Sequence, residues 1–117
     1  MAKRTVILHY HLFKNAEKTG EVLFVPLLVA LEVIWVLSSV YTFGRLEILD
    51  SFDDLLSMPV LEFESKKVLR NFISLSRKTE IDLPDMLIAA SAASSGCDHV
   101  LTFDRKAAKT AFFVKIG

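Results

Sequence analysis

A chain of 117 residues has material for one core and one site, so it is read as a single domain over residues 1–117. Its 52% hydrophobic content and mean hydropathy of +0.41 exclude a disordered chain and leave apolar surface for a partner to cover. Fourteen Lys and Arg balance fourteen Asp and Glu, which excludes a global positive field, so any nucleic-acid binding has to come from a local patch.

The first residues, Met1-Ala2-Lys3-Arg4, lead into only a short apolar stretch, and the single cysteine, Cys97, has no internal partner for a disulfide. No secretory signal is read, and the cytoplasm is the expected compartment. After the Gly20 turn, Val22-Leu23-Phe24-Val25 is a continuous apolar run of the kind shown by a strand buried on both faces. From Val22 to Tyr41 the only charge is Glu32, and the run has the length of a membrane span. A carboxylate near the middle of a span costs on the order of 2.5–3.5 kcal/mol. Pro26 divides the run more economically into a strand and a helix, with the proline in the helix's first turn, where its missing N–H is not needed. No membrane contact is expected.

That helix is expected to reach about Tyr41, where Tyr41-Thr42-Phe43-Gly44 breaks it. From Arg45 to Ser57, Leu46, Ile48, Leu49, Phe52, Leu55 and Leu56 recur at helical spacing with acids between them, which predicts an amphipathic helix. Met58-Pro59 stops it. Val60 to Phe63 reads as a strand, and Ser65 to Arg77 as a helix that turns Val68, Leu69, Phe72, Ile73 and Leu75 inward. Asp82 stands where an N-cap belongs, and the helix from Leu83 to Ser95 is closed by Gly96. His99 to Phe103 is a strand ending on Asp104, followed by a short basic helix over Arg105 to Thr110 and a last strand over Phe112 to Ile116. Strands alternating with helices in this order predict an α/β fold, three-layered as α/β/α, around a mainly parallel sheet.

Glu32 is the most informative candidate, because it lies in a helix that is apolar all round, where a charge is costly unless compensated. It is either a rim carboxylate paired with a Lys or Arg, or a metal ligand facing a polar pocket. Asp104 follows a strand at its carboxyl end, where open α/β sheets place ligands; it can also cap the next helix. Asp82 reads as a cap, whereas Asp85, in the same first turn, reads as a site residue. Thr102 shares a strand face with Asp104 as a supporting polar group. Three converging carboxylates repel one another without a cation, and an all-oxygen donor set selects Mg²⁺ or Mn²⁺ over zinc. Such a site activates water for phosphodiester hydrolysis. Arg105, Lys106 and Lys109, joined by Arg45, offer a patch for phosphates, unless they are a solvated helix face. His9, His11 and His99 are scattered and read as surface or packing residues, and Trp35 as core or interface.

From about Val22 to Phe113 the chain resembles the PIN-domain family, in particular the toxin components of toxin–antitoxin pairs. Phe24 to Leu37 is similar to the segment around that family's second acid, which implies that role for Glu32. Tyr41-Thr42-Phe43-Gly44-Arg45 resembles its turn into the next helix. Asp82-Leu83-Pro84-Asp85-Met86-Leu87-Ile88-Ala89-Ala90 resembles the segment of the third acid, which falls on Asp85. Gly96 to Asp104 resembles the final acidic strand end, with Asp104 as ligand and Thr102 beside it. The resemblance implies Mg²⁺-dependent RNA cleavage with Glu32, Asp85 and Asp104 as catalytic and metal-holding acids, a homodimer, and a cognate antitoxin lying across the site.

The departure is at the N-terminus, where the family has a strand ending on an essential Asp and this chain has no acid before Glu17. Two registers are open. Either Val6 to Tyr10 matches the stretch just after that Asp and the chain begins late, as a truncated start makes it, or Arg4 to Leu8 is the first strand and His9 stands in the Asp position. Both place impaired activity, or a catalytically inactive module that dimerises and binds an antitoxin or RNA, beside the nuclease reading. Phosphoacceptor chemistry on Asp104 is a third reading, although no Gly-rich phosphate loop accompanies it.

Overall fold

The computed structural model describes residues 18–97, 100–102 and 113–115. They fall into two units, Met1–Lys66 and Lys67–Gly117.

In the first unit, strand β1 (Leu23–Val25) leads through Pro26 into helix α1 (Leu27–Ser39), and Gly44 opens helix α2 (Arg45–Leu56). Strand β2 (Leu61–Phe63) then pairs parallel with β1, Leu23 opposite Leu61 and Val25 opposite Phe63. Two further bonds bracket the pair, from Leu23 N–H to the Val60 carbonyl (2.8 Å) and from Glu64 N–H to the Val25 carbonyl (3.0 Å). Helix α2 packs on α1 and on β2. The buried residues are Ala30, Val33, Ile34, Val36 and Leu37 of α1, Ile48, Leu49, Phe52 and Leu56 of α2, and Val25, Leu61 and Phe63 of the strands. Parallel pairing across a helical crossover is the arrangement predicted by the strand and helix alternation.

Two expectations need correction here. The strand β1 is covered on one face only: Phe24 is 57% exposed, opposite the exposed Glu62. A continuous apolar run carries no period-two signal, so it cannot tell a strand buried on both faces from one buried on a single face. Pro26 is the N-cap of α1, one residue before the first turn, with φ −66° and ψ 160°. Its carbonyl accepts from the N–H groups of Val29 (3.0 Å) and Ala30 (3.1 Å). A proline has no side-chain acceptor to cap the free N–H groups, and the need is met from elsewhere: the Leu27 N–H donates to Glu64 Oε1 at 2.8 Å. Between α1 and α2, Thr42 takes the left-handed φ of 54°, and the Gly44 N–H donates to Glu47 Oε1 (2.8 Å), half of a capping box.

The second unit holds most of helix α3 (Lys66–Ser76), helix α4 (Leu83–Ser94), strand β3 (Val100–Thr102) and strand β4 (Phe113–Lys115), the last two paired in parallel. Val68, Leu69, Phe72 and Ile73 of α3 are buried, as are Leu83, Met86, Leu87, Ala89 and Ala90 of α4. Gly96 ends α4 as expected. Its φ is +82°, the Gly96 N–H donates to Ala93 (3.1 Å) and the Cys97 N–H to Ala92 (3.0 Å), the paired bonds of a Schellman motif. The predicted helix over Arg105 to Thr110 lies outside the described residues.

The Glu64 contact predicts a stability difference that separates hydrogen bonding from charge. Glu64→Ala removes the acceptor for Leu27 and is expected to cost about 1 kcal/mol. Glu64→Gln keeps an amide oxygen in reach and is expected to lose less than half of that. Urea denaturation of both variants beside the parent measures the gap, and equal losses would show that the bond contributes nothing beyond the charge.

Candidate active site

Helix α1 leaves the carboxyl end of β1, the end of a parallel strand at which α/β folds bind ligands, and Glu32 sits in its second turn. The side chain is exposed, together with Leu28 (79%) and Trp35 (61%) on the same helical face. The expectation of a charge carried at a cost inside an apolar helix is therefore corrected. Glu32 is in water, and the unusual members of this face are its apolar neighbours. An all-round apolar helix offers no stripe from which the sequence alone can tell inside from outside. Trp35, read as core or interface, lies outside the core. Arg45 is half-buried at the first position of α2.

In the second unit, the approach to α4 is ordered by Thr79, whose Oγ1 accepts from the Ile81 N–H (3.0 Å) and donates to Met86 Sδ (3.9 Å). Ile81 and Met86 are both buried, at the positions of a hydrophobic staple. Asp82 occupies the N-cap position and its carbonyl accepts from Met86 N–H (3.0 Å), but its carboxylate makes no cap hydrogen bond. Asp82 is thus the N-cap as expected, without the side-chain bond; an N-cap side chain reaches for the N–H of the second or third helical residue, and Pro84, the second, removes one of the two. Asp85, the third, is half-buried at the positive end of α4.

Helix α4 packs on β3, whose last residue is Thr102. Asp104, Arg105, Lys106 and Lys109 come after β3 and lie outside the described residues, as do His9, His11 and His99. Among the described residues no group of three or more His, Cys, Asp or Glu is close enough to hold a metal. Glu32 and Arg45 belong to the first unit, Asp85 and Thr102 to the second. Among the described residues no helix is long and apolar enough to cross a membrane.

A basic feature was not singled out from the sequence. Lys66, Lys67, Arg70, Arg77 and Lys78 are all exposed on and just beyond α3. The signal was present as basic residues at helical spacing, set against Val68, Leu69, Phe72 and Ile73.

Comparison with known proteins places these features in a family. The PIN domain family model matches residues 6–113. A VapC ribonuclease of Aquifex aeolicus strain VF5 is 29% identical over 100 residues, covering 86% of this chain and 74% of the relative. No solved structure matches.

Because Glu32 is exposed, Glu32→Gln is expected to leave stability within about 0.5 kcal/mol of the parent. Phe52→Ala, in the core of the same unit, is expected to cost about 3–5 kcal/mol. Thermal melts of the two variants test this, and a large loss in Glu32→Gln would return the carboxylate to a structural role.

Proposed function

Because the chain belongs to the PIN domain family, we propose that it is a divalent-metal-dependent endoribonuclease of the toxin–antitoxin type. The match across residues 6–113 carries the reading, and the VapC ribonuclease relative supports RNA as the substrate. Glu32, Asp85 and Asp104 are its catalytic, metal-holding acids.

The donor chemistry fits Mg²⁺ or Mn²⁺. All three are hard carboxylates without a His or Cys among them, and of the two described, Glu32 is exposed and Asp85 half-buried, so both are open to a hydrated ion. A bound ion of this type supplies an activated water and neutralises charge on the phosphate under attack. Glu32 is held on a helix whose first turn is fixed by Glu64, and Asp85 on one fixed by the Thr79 turn, so neither acid rides on a loose loop. Thr102 supports the site as a hydroxyl at the end of β3. Arg45, Arg105, Lys106 and Lys109 take the flanking phosphates, which positions the strand without reading its bases. A homodimer and a cognate antitoxin are the expected partners and the cytoplasm the expected compartment. The exposed Leu28 and Trp35 support a covered face on α1.

A second reading comes from the absence of any acid before Glu17. Three carboxylates hold a cation less firmly than four, and a PIN fold that has lost its metal remains a module able to dimerise and to bind an antitoxin or RNA.

Isothermal titration with Mn²⁺ and cleavage of a labelled RNA separate the two. On the nuclease reading the parent binds Mn²⁺ and cuts RNA, and Glu32→Gln, Asp85→Asn and Asp104→Asn each weaken Mn²⁺ binding about 10-fold or more. Unchanged Mn²⁺ affinity in Glu32→Gln and Asp104→Asn would refute it. RNA binding without cleavage in Mn²⁺ selects the inactive module.

A further inference from the structure

From Lys66 to Lys78 every charged residue is basic: Lys66, Lys67, Arg70, Arg77 and Lys78, with no acid among them. All five are exposed. At 3.6 residues per turn they fall on one side of α3, away from the buried Val68, Leu69, Phe72 and Ile73. Arg77 and Lys78 stay in register past the end of the helix, because their N–H groups donate to Ile73 (3.1 Å) and Leu75 (3.0 Å). The row extends over about 18 Å at the helical rise, and between its charges lie two exposed hydrogen-bonding side chains, Asn71 and Ser74.

An amphipathic helix needs a polar outer face but not one of a single sign, and like charges three or four residues apart destabilise it. A chain with equal numbers of acids and bases has here collected five of its cations on one helix face. The composition also selects among anionic partners. Protein interfaces centre on apolar and aromatic side chains and are depleted in lysine, whereas this face exposes no apolar residue. The exposed apolar residues Leu28 and Trp35 are on α1 instead. Lys and Arg with interspersed Asn and Ser are the donors that contact phosphates. With no aromatic ring on the face to stack on a base, the contacts carry no sequence preference.

We propose that the exposed face of α3, formed by Lys66, Lys67, Arg70, Arg77 and Lys78, is a track for the phosphodiester backbone of RNA. It adds sequence-independent affinity for the strand. The inference rests on the ribonuclease reading for its choice of RNA, but it is tested without cleavage.

Fluorescence anisotropy of a labelled single-stranded RNA, titrated with the full chain in EDTA at several salt concentrations, reads the track directly. The expected result for the triple variant Lys67→Gln/Arg70→Gln/Lys78→Gln is an affinity lowered about 10-fold or more at low salt. Its slope of log K against log [salt] should be shallower by about 2, from about 0.7 per lost phosphate contact. The loss should be equal for adenine-rich and uracil-rich strands. Lys67→Arg/Lys78→Arg should keep parental affinity, and Lys18→Gln, an exposed cation outside the Lys66 to Lys78 row, should leave the slope unchanged. Circular dichroism confirms that the triple variant is folded. Parental affinity and slope in that variant overturn the track and leave the nuclease reading standing. Lost affinity in a chain that binds no Mn²⁺ and cuts no RNA keeps the track and removes the nuclease. Displacement of the RNA by polyglutamate at equal charge concentration overturns it in favour of an acidic protein partner.

Discussion

The hydrogen bond from the Leu27 N–H to Glu64 Oε1 ties the start of α1 to the residue just past β2, far along the chain. The same Glu64 donates its own N–H to the Val25 carbonyl, so one residue fixes both the end of the strand pair and the beginning of the helix. Pro26 makes this necessary, because a proline N-cap offers the helix no side-chain acceptor of its own. Once the start of α1 is set, its rotation decides which residues meet α2 and which meet water. Ala30, Val33, Ile34 and Leu37 turn inward, and Glu32 turns out with Leu28 and Trp35. A slip of β1 by one residue against β2 would exchange the buried Val25 for Phe24, so register and site placement depend on the same contact.

The part of the fold legible in the sequence was its punctuation. Pro26, Gly44, Pro59 and Gly96 separate elements, and the element ends beside them fall within a residue or two of where these markers put them. Orientation was less legible. Val22 to Val25 is apolar at every position, and most of α1 is too, so neither has the alternation or the stripe that tells one face from another. The half-covered strand and the exposed Glu32 are both consequences of that. Asp82 was legible as the N-cap position but not its missing side-chain bond: capping statistics count two helical N–H groups within reach, and Pro84 deletes one of them. The acids Glu32 and Asp85 were legible as candidates because motif spacing survives when burial does not. Of the two registers for residues 3–21, the part up to residue 17 lies outside the described residues.

The even balance of charge over the chain conceals a strong local separation. Helix α2 presents Glu47, Asp50, Asp53 and Asp54 to solvent, whereas every charge presented by α3 is positive. Charges farther away than a screening length of about 8 Å in physiological salt are largely screened from a bound phosphate. A phosphate in contact with α3 responds to the local row, so a neutral total is compatible with a basic track.

The excess of apolar residues has an equally local origin. Leu28 and Trp35 lie exposed on either side of Glu32 along one face of α1, and Leu46 is exposed on α2. Removing the α1 face from water is favourable for the two apolar side chains, at about 25 cal/mol per Å². It is unfavourable for the carboxylate between them, which loses several kcal/mol of hydration unless a positive charge replaces the water. The two effects act on the same surface. A partner that covers Leu28 and Trp35 must bring a cation to Glu32 or leave one bound there, so binding of any cation by this carboxylate and occlusion of the face by a partner would be thermodynamically linked.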